Sequence, residues 1–156
     1  MRVIESPTDF GGLTGITLGP GPWLTVTQMM IDDYAELTGD RQWIHVDRAR
    51  AAREAPGGTT IAHGFLTLSL LIPLQERLYR VENAGRILNY GADRLRFISP
   101  VPAGSRIRLI QTVKAAEPVA AGGLRVTAAS VIEIEDAPRP ALAVETVALF
   151  YSEPHL

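Results

Sequence analysis

The segment "FLTLSLLIPL" (Phe65 to Leu74) constrains the fold more than any other part of the chain. Its pattern is helical from about Gly64 to Tyr79 and apolar almost all round near its start. A helix of that kind has to be covered on most sides. The run is too short to span a bilayer, and Pro73 interrupts it, so it reads as a buried helix. Pro73 removes one backbone hydrogen bond and clashes one turn back, which predicts a kink or a split.

The cover must come from the second half. "SRIRLIQTVK" (Ser105 to Lys114) alternates, with Ile107, Leu109 and Val113 opposite Arg106, Arg108 and Lys114. "LRVTAASVIEIE" (Leu124 to Glu135) alternates again, with Leu124, Val126, Ile132 and Ile134 on one face. Period two with one polar face predicts antiparallel strands wetted on one side. "RILNYGADRLRFI" (Arg86 to Ile98) and "ALAVETVALFY" (Ala141 to Tyr151) read as two more. Gly122-Gly123 and "DAPRP" (Asp136 to Pro140) supply turns. The fold class is therefore α+β, an antiparallel sheet wrapped around a long central helix.

The first half supplies smaller elements. Gly11 to Pro22 is a Gly/Pro-rich stretch that reads as a loop or lid, and residues 1–22 as a lead-in. Trp23 to Thr27 reads as a short strand, and Thr27 as the N-cap of a helix from Gln28 to Thr38 that stops at Gly39. Asp40 to Ile44 reads as a tight turn, and Asp47 as the cap of a short helix ending near Pro56. With 156 residues, the chain is expected to form one domain over 1–156.

Composition narrows the chemistry. The net charge of -2 gives no footprint for nucleic acid or an acidic membrane surface. The absence of cysteine excludes disulfides, thiolate metal sites and a cysteine nucleophile, and fits a cytoplasmic protein. The N-terminal residues lack the apolar core of a signal peptide. The basic residues are arginine except for Lys114, a bias that a GC-rich genome explains more simply than phosphate binding does.

Two of the three histidines stand beside the best loop-to-helix signals, and the third, His155, reads as tail. Asp40 and His45 flank a short non-helical segment; Asp40 by itself would be an ordinary turn former, and either histidine an ordinary satisfied polar group. Together, an acid and a histidine facing one cleft form a general acid/base pair. His63-Gly64 opens the buried helix, where free backbone N–H groups point outward and glycine allows close approach, the makings of an oxyanion hole. Base, acid and oxyanion donor suit addition of water to a carbonyl-conjugated double bond, or the reverse. A site of two histidines and an aspartate for zinc or iron is the competing reading, but the spacing matches no zinc motif. No GxSxG is present for serine hydrolysis.

At these residues the chain resembles the MaoC-like (R)-specific enoyl-CoA hydratases of the hot-dog superfamily. Their motif runs roughly Y-x-x-[ST]-G-D-x-N-P-[LIV]-H. Tyr34, Thr38, Gly39, Asp40, Ile44 and His45 match it, with one extra residue before Thr38 and with Gln42-Trp43 in place of Asn-Pro. "GDRQWIHVD" and "IAHGFLTLSLL" resemble the NodN-like branch, and "NYGADRLRFISPVPAGSRIR" (Asn89 to Arg108) the strand and turn that follow.

The resemblance implies a hot-dog fold and a hydratase or dehydratase acting on acyl-CoA or acyl-carrier-protein thioesters. Asp40 would activate water, His45 would orient it and supply or accept the second proton, and the Gly64 N–H would polarise the thioester carbonyl. His63, Trp43, Ser69, Asn89 and Tyr90 would contact substrate, Ser69 standing for a hydroxyl on the first turns of the central helix. Arg94, Arg96, Arg106 and Arg108 are available to CoA phosphates. No metal or other cofactor is implied, and the expected assembly is a homodimer joined edge to edge. A non-catalytic hot-dog partner subunit and a hot-dog thioesterase are the alternatives; retention of both Asp40 and His45 favours the enzyme.

Overall fold

The computed structural model describes residues 1–152; His155 lies outside them. Strands β1 (Arg2–Ile4), β2 (Thr17–Leu18) and β3 (Leu24–Thr25) precede the helices α1 (Gln28–Thr38), α2 (Trp43–Val46), α3 (Arg48–Glu54), α4 (Gly64–Ser69) and α5 (Leu71–Leu78). Strands β4 (Tyr79–Val81), β5 (Arg86–Phe97), β6 (Arg106–Val119), β7 (Gly123–Ile134) and β8 (Leu142–Tyr151) follow. The main sheet is antiparallel in the order β2-β6-β7-β8-β5, with β3 also on β6, and β1 pairs with β4 in parallel.

The α+β layout expected from the alternating pattern is present. Ile107, Leu109 and Val113 of β6 and Val126, Ile132 and Ile134 of β7 face inward and are buried. Leu66, Leu70, Leu71, Leu74 and Leu78 of the helix pair join the same core. Burying one such side chain contributes roughly 1.5–3 kcal/mol, so this seam dominates the packing. The helix splits between Ser69 and Leu71. Pro73 has no N–H for the Ser69 carbonyl, so the break falls one turn before the proline.

Two expectations change. The lead-in is only partly loop: Pro7–Leu13 forms a 3-10 helix, and Phe10, fully buried, packs on Tyr79 and Phe150, while beyond Leu13 the stretch to Pro22 is loop apart from β2. The glycines hid an apolar set, Phe10, Leu13 and Leu18, that is too sparse to show a period. The turn expected at Asp40–Ile44 instead winds into α2, so that His45 sits on a helical turn.

The central helix is covered on most sides, as its pattern predicts, and open on one. Phe65 is 61% exposed, and Ser69 and Ile72 are exposed with it, one stripe at helical spacing. Strand β5 is exposed over most of its length and, among the described residues, pairs on one side only, with β8.

Candidate active site

Three local signals bring Asp40 and His45 together. Thr27 caps α1, its hydroxyl accepting the Met30 N–H. Gly39 ends α1 at φ 79°, a left-handed conformation that suits glycine, and its N–H donates to the Ala35 carbonyl. The chain then turns back through Asp40 into α2, and the Asp47 carboxylate caps α3 by accepting the Arg50 N–H at 2.9 Å.

His45 is 6% and His63 3% exposed, while Asp40 is exposed. The two imidazoles stack with centroids 3.7 Å apart and planes 26° apart, and the Tyr34 ring lies 5.0 Å from His63. One nitrogen of each imidazole and one Asp40 carboxylate oxygen lie within 4.8 Å of one another.

Hydrogen bonding fixes one donor nitrogen on each ring. His45 Nδ1 lies 2.7 Å from the Ile61 carbonyl oxygen, which can only accept, so Nδ1 carries the proton and Nε2 keeps a lone pair. His63 Nε2 likewise donates to the Asp40 carbonyl at 2.9 Å, and its Nδ1 is buried and without a partner among the described residues. Burial pushes the His45 imidazole below its ordinary range, against the bond to Ile61; the neighbouring His63 lowers it further and the Asp40 carboxylate raises it. His45 is therefore neutral at pH 7, a proton acceptor at Nε2.

The same three residues are the group best suited to a metal among those described. Their geometry is poor for one. Stacked rings send their in-plane lone pairs along nearly parallel planes, and an ion about 2.0–2.1 Å from both nitrogens could not lie in both ring planes.

Beside His45 opens a cavity of about 280 Å³, walled by Ala62, Gly64, Thr67, Phe97 and Val101 among others. Gly64 is the first residue of α4, so its N–H has no partner within the helix. A Cβ placed there would meet the Phe97 ring at 3.0 Å. Thr67 is a wall residue that the sequence did not single out; its hydroxyl donates to the His63 carbonyl at 3.2 Å. Gly64 and Thr67 are three apart and share a helix face, which is the signal that could have found it.

The other expected substrate contacts lie apart from this cavity. Ser69 is on the exposed stripe, its hydroxyl donating to the Phe65 carbonyl at 2.8 Å. It lines a separate groove of about 420 Å³ with Asn89 and Tyr90. Trp43 is partly buried under the Arg50 guanidinium, 4.3 Å from the ring centre, and is not part of the cavity wall. Arg106 and Arg108 are paired with Glu135 and Glu133, and Arg94 with Glu145.

The MaoC-like domain pattern matches residues 9–136, a span that holds Asp40, His45, His63 and Gly64. The chain belongs to the MaoC-like family. It is 42% identical to 3-hydroxyacyl-thioester dehydratase Z of Mycobacterium tuberculosis over 147 residues, 94% of this chain and 97% of that protein. It is 41% identical to nodulation protein N of Rhizobium leguminosarum bv. viciae over 151 residues, 96% of this chain and 94% of that one. Among solved structures, a monoamine oxidase regulatory protein from Archaeoglobus fulgius superimposes with a TM-score of 0.74 at 23% identity, covering 96% of this chain and 95% of the other. The architecture is the hot-dog fold that the resemblance implied.

Proposed function

We propose that the chain is an (R)-specific hydratase/dehydratase that adds water to an enoyl thioester or removes it from a 3-hydroxyacyl thioester. The observation that carries this reading is the convergence of the Asp40 carboxylate with a ring nitrogen of His45, whose Nδ1 is held by the Ile61 carbonyl, beside the cavity that Gly64 walls. The name of the 3-hydroxyacyl-thioester dehydratase relative supports the same reading.

In hydration, a water held between the pair offers one O–H to His45 Nε2. Its oxygen bonds to C3 as Asp40 takes the other proton. The C2–C3 π electrons move onto the thioester as an enolate, whose oxygen faces the Gly64 N–H. The proton taken by Asp40 returns to C2 on the face from which the oxygen arrived. The acid is thus neutral only transiently, and dehydration runs the same steps backward. The substrate is an acyl-CoA or acyl-carrier-protein thioester in the cytoplasm. His63 holds the Asp40 backbone and the His45 ring rather than the substrate.

The same reading includes a homodimer. Edge strand β5 exposes Ile87, Leu88, Tyr90 and Phe97, and the Phe65–Ile72 stripe lies across the groove from it. An unpaired, apolar edge is a template for another strand, and a second copy of β5 would continue the sheet and cover the stripe.

The deciding experiment is hydration of crotonyl-CoA, followed by loss of the enoyl absorbance with free thiol monitored in parallel. The product is then offered to stereospecific 3-hydroxyacyl dehydrogenases. An (R)-3-hydroxy product without thiol release is expected. An (S) product, or thiol release in place of hydration, overturns the reading.

A further inference from the structure

His45 sits on α2, a single turn of helix that cannot hold its own position. Its ring is fixed by the Ile61 carbonyl, but the backbone that carries the ring needs its own anchor. The His45 carbonyl belongs to the last turn of α2, where carbonyls lack helical partners. It accepts from Gln28 Nε2 at 2.8 Å, a contact spanning 17 residues of chain.

The Gln28 amide is engaged at both ends. Nε2 also donates to Asp32 Oδ1 at 2.7 Å, and Oε1 accepts from the Thr60 hydroxyl. Both N–H groups and the oxygen are therefore used, which fixes which way the amide faces. Thr60 is 2% exposed, so its hydroxyl has no solvent to turn to. It directly precedes Ile61, whose N–H donates to the Ile44 carbonyl at 3.0 Å and whose carbonyl holds the His45 ring. Asp32 is in turn paired with Arg48 at 2.8 Å, on the first residue of α3.

We infer that Gln28 and Thr60 are positioning residues for His45, a half-buried amide paired with a buried hydroxyl and setting both the height of its backbone and the tautomer of its ring. Three segments remote in sequence meet on this amide: the start of α1, the end of α2 and the loop before α4. Loss of the hydroxyl leaves Gln28 Oε1 short of its donor and frees the amide to turn. The Ile61 carbonyl and the His45 carbonyl then lose their common reference. This role rests on His45 acting in the reaction as proposed above.

The test compares isosteric losses with a conservative rescue. Thr60→Val keeps shape and removes the hydroxyl; Thr60→Ser keeps the hydroxyl; Gln28→Met keeps length and removes the amide. A misplacement near 1 Å can cost on the order of a hundred-fold in rate, so Thr60→Val and Gln28→Met are expected to lower kcat about ten- to a hundred-fold. KM should stay within about twofold, and Thr60→Ser should recover most of the rate. The double variant should lose no more than the worse single, because both act through one contact. Nitrogen chemical shifts of the His45 ring should move from a fixed Nδ1–H tautomer toward a mixture in Thr60→Val and not in Thr60→Ser. A purely structural role would lower the melting temperature while kcat per folded molecule and the ring shifts hold, and that result overturns the inference. So does a Thr60→Ser variant no better than Thr60→Val. If Thr60→Val does not fold, Gln28→Met and Thr60→Ser decide by the same criteria. His45→Gln runs alongside: wild-type kcat there removes the catalytic reading itself, whereas an inactive His45→Gln beside fully active Gln28→Met and Thr60→Val refutes the positioning role alone.

Discussion

The role assigned to the Gly64 N–H can be tested by removing that N–H, because the backbone at this position accepts proline. Gly64 is the first residue of α4, where a proline N–H would not be missed by the helix. The preceding His63 has φ -59° and ψ 142°, the extended conformation that a following proline demands. The one obstacle is steric: any Cβ meets three Phe97 ring atoms at 3.0 to 3.1 Å. Phe97 is 45% exposed on the edge strand, so its ring can yield, and the cost should lie near the low end of the 1–3 kcal/mol typical of overpacking. Gly64→Ala shares that clash and keeps the N–H; Gly64→Pro loses it. Their ratio isolates the donor. Removing one oxyanion donor costs about 2.7–4 kcal/mol, so kcat for crotonyl-CoA hydration should be roughly a hundred- to a thousand-fold lower in Gly64→Pro than in Gly64→Ala. Melting temperatures should differ little between the two, and a Phe97→Leu background removes the shared strain from both. Equal kcat in two folded variants would refute the oxyanion role.

Asp40→Asn and His45→Gln should each lower kcat about a hundred- to ten-thousand-fold with unchanged circular dichroism, and the double variant should fall well short of the product, since both groups act on one water. Near-wild-type kcat in Asp40→Asn would return Asp40 to a turn former. Because burial lowers the His45 pKa, the acid limb of kcat/KM that it governs should lie below pH 6.5, and a limb above that value counts against it. The same shift makes a stability prediction: below pH 6.5 the unfolded chain takes up a proton that folded His45 refuses, so this contribution is present above pH 6.5 and lost as pH falls through the lowered value. The difference in urea midpoint between wild type and His45→Gln, measured at pH 7 and pH 5, should shrink at the lower pH. Phe65→Glu combined with Ile72→Glu should shift sedimentation from a dimer to the 16.9 kDa monomer at micromolar concentration; a wild-type chain that is already monomeric contradicts the edge-to-edge assembly.

The sequence carried the repetitive parts of this structure well. Alternation placed Ile107, Leu109, Val126 and Ile132 inward, and the cap residues Thr27, Gly39 and Asp47 bounded α1 and α3 as their chemistry requires. Features made by contacts across the chain were not legible. Phe10 packs on Tyr79 and Phe150, and nothing near Phe10 in sequence announces either ring. At the site, the motif brought out Asp40 and His45, and the helix start brought out His63 and Gly64. The stacking of the two imidazoles, the orphaned His63 Nδ1 and the orientation of both rings depend on carbonyls 16 and 23 residues away. Thr67 was not legible for a different reason: the family pattern points to a serine, and Ser69, two positions on, is turned by the helix to the other side.

The Gln42-Trp43 pair shows how the site tolerates a departure from the family pattern. In the Asn-Pro version the proline would occupy the first position of α2, where its fixed φ pre-organises the turn. Trp43 holds that position here, and no side-chain cap bond precedes it. The nearest local substitute, the Gln42 N–H reaching Asp40 Oδ1 at 3.4 Å, is a long contact. What the turn lacks locally it receives from outside: Arg50 over the Trp43 ring, Gln28 on the His45 carbonyl, and the Ile61 backbone on both Ile44 and the His45 ring. A four-residue helix stabilised in this way is only as well placed as its neighbours. The polar staple between Gln28 and Thr60 therefore matters more to His45 here than it would in a chain whose proline already set the turn.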